Sequence, residues 1–241
     1  MIARFSAVSI FAAAMAWCGS AMAQTSVPPP VAPPAASSAK PKPATVFITI
    51  TTAEGPIVLE LESERAPITT KNFLRYVDEK RLDGSTFYRA MNLQTDYGLL
   101  QGGVRDPRKL LPPIKHEPTS LTGLSHQTGV VSMARAAEGT AQSDFFIVVG
   151  DMSGLDAHPD QPGDNSGFAA FGHVVSGMDV VRKLMTGAIS PTLGADNGMK
   201  GQMLAAPIKI MSARRTAKPV TPPAAATPVS PTAAPVVTPT G

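Results

Sequence analysis

The chain has 241 residues, 24 of them proline, with 21 lysines and arginines against 18 acidic residues and a formal charge of +3. All 18 acidic residues but only 15 of the basic ones lie between Thr45 and Ala213, so that segment carries a net −3 and the basic surplus belongs to the ends. No basic stripe with interleaved aromatic residues is present, which argues against a nucleic-acid partner.

In chain order, residues 1–23 read as an export signal. Arg4 is a positive start, Phe5 to Trp17 is an uncharged and largely apolar run, and Ala21-Met22-Ala23 offers small residues for cleavage before Gln24. The run is too short to span a bilayer comfortably. Cys18 is the only cysteine and would leave with the signal, so the mature chain would have no disulfide and no thiol nucleophile. It also has no apolar stretch long enough to serve as a membrane span. Seven prolines between Pro28 and Pro43, among Ala, Val and Ser, predict a disordered linker over 24–44; seven more between Pro219 and Pro239 predict a disordered tail over 214–241. One domain is expected over 45–213, a length that supports a proper hydrophobic core.

Within that domain, Val46–Thr52 and Ile57–Glu62 flank the turn cluster Ala53-Glu54-Gly55-Pro56 and read as a hairpin. Ala66-Pro67 opens a helix whose apolar face is Ile68, Phe73, Leu74 and Val77, and Gly84 follows its end. Short strand signals then recur at Phe87–Met91, Gly129–Ala134, Phe145–Val149 and Phe168–Val174. A second helix is expected over Met178–Met185, and a last strand at Ile208–Met211. Short strands and two helices without βαβ alternation point to a mainly β domain, a barrel or sandwich with helices packed on it. Closure into a barrel would leave no strand edge exposed.

Five segments carry a resemblance: Phe87-Tyr88-Arg89, Gln101-Gly102-Gly103, Gly129-Val130-Val131-Ser132-Met133-Ala134, Ser143-Asp144-Phe145-Phe146-Ile147 and Phe171-Gly172-His173-Val174. In this order and near this spacing they resemble the cyclophilin family of peptidyl-prolyl isomerases, over nearly the whole of 45–213. Pro112-Pro113-Ile114-Lys115 and Ser132-Met133-Ala134-Arg135 are most similar to the periplasmic bacterial branch, in agreement with the export signal. The resemblance implies a closed antiparallel barrel of about eight strands with two packed α-helices. It implies a monomer that acts on proline-containing polypeptides, needs no cofactor or metal, and assists the folding of exported proteins in the periplasm.

Carried over by position, Arg89 corresponds to the catalytic arginine and Gln101 to the glutamine that binds the substrate backbone. Met133, Phe146 and Leu155 correspond to the apolar proline pocket, with Phe168 where relatives have His or Tyr. Arg135 and Asp144 stand at substrate-facing positions where relatives commonly have Asn and Gln. The departures are specific. Gln101 follows Arg89 by twelve positions, four more than the commonest family spacing, and Gly98 falls where the family has a pocket phenylalanine, leaving Tyr97 or Leu99 to supply that surface. Gly154 takes the place of the tryptophan of cyclosporin-sensitive relatives, which implies weak cyclosporin binding. The Gly98 and Asp144 changes keep open an alternative on the same barrel: a proline-peptide-binding chaperone or scaffold module with weak catalysis.

A metal site is not indicated. The loop Asp156–Asn165 holds three aspartates and a histidine, but in neither an EF-hand nor a zinc register, and reads as a solvated polar insertion. A serine-hydrolase elbow of the Gly-x-Ser-x-Gly type is absent.

Overall fold

The computed structural model describes residues 42–163 and 165–219; the export signal expected from the sequence and most of both proline-rich flanks lie outside the described residues. The β-branched run β1 (Val46–Thr52) pairs antiparallel with β2 (Gly55–Leu61) through Ala53-Glu54, as the hairpin signal predicts. Alternation sends Ile48, Ile50, Ile57 and Leu59 into the interior, where each is fully buried.

Helix α1 (Pro67–Asp78) starts with Pro at its first turn and has no capping side chain of its own. Its orphan N–H groups are met from a distance instead. The buried Glu117 carboxylate accepts from Ile68 N–H at 3.0 Å and from Thr69 N–H at 2.7 Å, at the end of the helix that favours negative charge. Phe73, Leu74, Tyr76 and Val77 bury against the barrel, whereas Ile68, expected on that face, is 39% exposed. Helical periodicity sets Ile68 on the stripe of Lys71 and Arg75, which faces outward.

The remaining strands are β3 (Thr86–Gln94), β4 (Tyr97–Gly103), β5 (Val130–Met133), β6 (Phe145–Val149), β7 (Ala169–Ser176) and β8 (Met203–Thr216). They join in the order β1-β2-β7-β5-β6-β4-β3-β8 and close on β1, an eight-stranded antiparallel barrel as expected. Between them lie the single helical turn α2 (Thr119–Thr122) and helix α3 (Met178–Met185), which buries Val180, Val181, Leu184 and Met185. Phe145 sits at the centre of the filled barrel, 5.1 Å from Phe73 and 5.7 Å from Phe87 between ring centroids, both edge-on.

Two strands differ from the sequence reading. β4 contains Gly98, Gly102 and Gly103, so intrinsic preference is silent there, and pairing to β3 and β6 on both sides makes it a strand. β8 extends far beyond Ile208–Met211, because its ends pair with β3 and β1. The expected domain end at Ala213 therefore falls inside a strand: Arg214 grips Asp83 and Arg215 grips Asp78 through paired side-chain bonds of 2.7–2.8 Å. At the other boundary Lys42 bonds Glu60 at 2.7 Å, and Ala44 N–H donates to Glu64 at 2.7 Å. Among the described residues no helix is long and apolar enough to cross a membrane.

Candidate active site

On the outer face of the barrel, one row of residues crosses four strands. The Cα register pairs Arg89 (β3) with Gln101 (β4), Gln101 with Phe146 (β6), and Phe146 with Ser132 (β5). Adjacent strands lie about 4.8 Å apart, which places the Arg89 and Phe146 backbones about 10 Å from each other. A register shift between Phe87 and Arg89 is what turns Tyr88 and Arg89 outward together, while Phe87 and Ala90 stay in the core.

The half-buried Arg89 guanidinium is held as a fork. Nη1 donates to Gln101 Oε1 at 2.7 Å; Nε and Nη2 donate to Gln202 Oε1 at 2.8 and 2.5 Å; Nη2 also faces Met91 Sδ at 3.5 Å. With five N–H groups on a guanidinium, this leaves a second Nη1–H without a partner among the described residues. Burial pulls Arg89 below the usual arginine value, with Tyr88 opposing. The side chain starts so high that it stays charged at neutral pH. Gln101 is buried and also donates through Nε2 to Tyr88 Oη at 2.7 Å; Tyr88 donates onward to Asp144 Oδ2 at 2.6 Å. Burial, reinforced by the Asp144 charge, pushes the Tyr88 phenol up, so it remains a neutral donor; burial likewise raises Asp144.

Asp144 thus pairs with Tyr88 and lies 3.8 Å from Arg105, whose guanidinium stacks 4.6 Å over the Tyr88 ring; the fork of Arg89 is left to neutral amides. Both Asp144 and Arg135 border an open cleft of about 570 Å³ that also contains Gln101 of the row and Ala134. Arg135 donates through Nε to Gly167 O at 2.8 Å and lies 5.4 Å over the Phe168 ring, steadying the segment that carries Phe168.

Beside Arg89 lies a second apolar cluster, separate from the barrel core: Phe146, Leu99, Val148 and Met152, bordered by half-buried Met91, Tyr97, Ala134, Leu155 and Phe168. Phe168 meets Phe146 edge-on at 5.6 Å, and its N–H donates to Leu155 O at 3.0 Å, so floor and walls are tied together. The structure thus brings Phe146, Leu155 and Phe168 together in one cluster. Gly98 cannot carry a pocket side chain, since a Cβ there would lie 1.8 Å from Met91 O. Tyr97 and Leu99 on either side supply that surface together.

Met133 is a correction. It is 1% exposed and packs with the barrel interior, because β5 alternation points Val131 and Met133 inward and Ser132 outward. The methionine at the pocket is Met91. Sequence reasoning also missed Gln202, whose residue type and loop position carry no motif. Asp156 is not part of a solvated loop; its carboxylate turns inward to His126.

The family model for cyclophilin-type peptidyl-prolyl cis-trans isomerases matches residues 47–214. The chain is 34% identical over 171 residues to a peptidyl-prolyl cis-trans isomerase of Acinetobacter baylyi, covering 70% of this chain and 85% of that one. It is 36% identical over 141 residues to peptidyl-prolyl cis-trans isomerase A of Dickeya dadantii, covering 57% and 70%. In fold it is similar to a Cryptosporidium parvum cyclophilin-type isomerase crystallised in the presence of the dipeptide Ala-Pro, with a TM-score of 0.55 at 20% identity over 71% of this chain and 99% of that one. The chain belongs to the cyclophilin-type peptidyl-prolyl cis-trans isomerases, a family of isomerase enzymes.

Proposed function

We propose that this chain isomerises Xaa-Pro bonds in polypeptide segments laid across β3, β4 and β6, with Arg89 as the catalytic group. Amide resonance imposes a barrier of about 18–20 kcal/mol on that rotation, and no covalent chemistry is needed to lower it. The proline ring rests on Phe146 between Leu155, Phe168 and Leu99. The free Nη1–H of Arg89 donates to the prolyl nitrogen as it turns pyramidal, holding the lone pair out of conjugation with the carbonyl. Gln101 Nε2 and Oε1 are already engaged by Tyr88 and Arg89, so Gln101 aligns the donor and offers its amide edge to the substrate backbone.

The observation that carries this reading is a charged fork with one uncommitted N–H, fixed by two neutral amide oxygens in the same row as an aromatic floor. Asp144 supports activity over passive binding, since it engages Tyr88 and does not blunt Arg89. The export signal expected over residues 1–23 supports a periplasmic setting, in which a monomer would assist folding steps that take tens of seconds unaided. NMR exchange on a short Xaa-Pro peptide tests the assignment. Arg89→Ala should lower kcat by a factor of hundreds, about 3–4 kcal/mol, with little change in thermal midpoint; equal rates would overturn it.

A further inference from the structure

Beneath the pocket, a histidine that the chemistry above does not use is fully buried and bonded at both ring nitrogens. His126 is 0% exposed; Nδ1 lies 2.5 Å from Asp156 Oδ1, and Nε2 lies 2.9 Å from Ser132 Oγ. An ionised carboxylate only accepts, so the ring proton belongs on Nδ1, and Nε2 accepts from the Ser132 hydroxyl. The Asp156 carboxylate also takes His126 N–H at 3.0 Å and the Ser125 hydroxyl at 2.5 Å. Ser132 is itself fully buried, which leaves no access for a substrate and excludes hydrolase chemistry for this Ser-His-Asp arrangement.

What the arrangement touches is the pocket. The imidazole stacks under the Phe146 ring at 5.9 Å with an interplanar angle of 17°. The His126 carbonyl accepts from Met152 N–H at 2.8 Å, at the start of the turn that carries Leu155. Asp156 closes that same turn, its N–H donating to Ser153 O at 3.0 Å. Phe168 hangs on Leu155 O. Floor and both walls thus reach His126 directly or through one or two hydrogen bonds. Moving the imidazole would release the ring and the turn at once.

We propose that His126, Asp156 and Ser132 form a positioning unit that fixes the Phe146 floor and the Leu155 wall at the spacing of a proline ring. The unit rests on the reading that this face grips proline. It holds the pocket in every rotational state of the substrate, so its loss weakens ground state and transition state alike and appears in KM, whereas loss of Arg89 appears in kcat.

The test compares full-length wild type with Asp156→Ala, Asp156→Asn and Ser132→Ala, using NMR exchange on an Xaa-Pro peptide for KM and kcat. The Phe146 ring signals and the His126 Nδ1–H resonance are followed in the peptide-free protein. Asp156→Ala should raise KM about tenfold, the scale of one charged hydrogen bond, with kcat within about twofold of wild type. The Nδ1–H resonance should vanish and the Phe146 ring signals should shift. Asp156→Asn, which still accepts Nδ1–H, should recover most of the KM. A folded Asp156→Ala with wild-type KM and unmoved Phe146 signals overturns the unit, while leaving the isomerase reading intact if Arg89→Ala is inactive. An inactive wild type would sink the isomerase reading, and the Phe146 signals would still decide the unit. Should Asp156→Ala fail to fold, Ser132→Ala decides by the same two readouts.

Discussion

Gln202 sets the most informative test of how Arg89 works. Its single Oε1 takes both Nε–H and one Nη2–H, so it fixes the plane of the guanidinium, while Gln101 fixes the remaining nitrogen. Replacing Gln202 with Ala leaves the backbone intact, since its carbonyl still accepts Ala90 N–H at 2.8 Å. The thermal midpoint should move by only a few degrees. Two charged hydrogen bonds are lost, but water replaces them at this half-buried position, so the net loss of alignment is nearer one bond than two. That is about 1.5–2 kcal/mol, or a factor of about ten to thirty in kcat. If Gln202 acts only by aiming Arg89, its effect disappears once Arg89 is gone: Arg89→Ala with Gln202→Ala should be no slower than Arg89→Ala alone. Single-turnover exchange rates for the four proteins form a double-mutant cycle. Additive losses would refute the reasoning, because Gln202 would then be acting on the substrate by itself.

The cap of α1 predicts that Glu117→Ala leaves two helix N–H groups without a buried acceptor, costing about 2–3 kcal/mol and lowering the melting temperature by about 5–10 °C in calorimetry. Met133→Ala should cost about 2–5 kcal/mol of stability through a core cavity, with the peptide KM unchanged in the exchange assay; Leu99→Ala should raise KM. Gly154 has no left-handed φ, and a Cβ there meets nothing within 4 Å. Gly154→Trp should therefore fold normally and strengthen cyclosporin binding by about 1.5–3 kcal/mol of buried aromatic surface, read by titration calorimetry.

Most of the fold was legible because its signals are local. The β-branched run Val46–Thr52 and the Pro67 helix start each report their own conformation. The candidate site was legible to the extent that motif residues mark positions, as with Arg89, Gln101 and Phe146, which the fold brings into one row. Side chains whose role depends on parity were not. Ser132-Met133-Ala134 reads the same whether Ser132 or Met133 faces inward, and only the pairing of β5 with β6 and β7 decides it.

By itself the amino-acid order determined the strand-forming runs, the helix starts, the placement of charge and the family's five motifs, since each depends on neighbours a few positions apart. Tertiary structure alone decided which side chains meet. Gln202 reaches Arg89 across 113 positions, Asp156 reaches His126 across 30, and the glycine-rich β4 becomes a strand because partners flank it on both sides. Hydrogen bonds and ring contacts form between surfaces that barrel closure brings together, and no local preference of the chain encodes that closure.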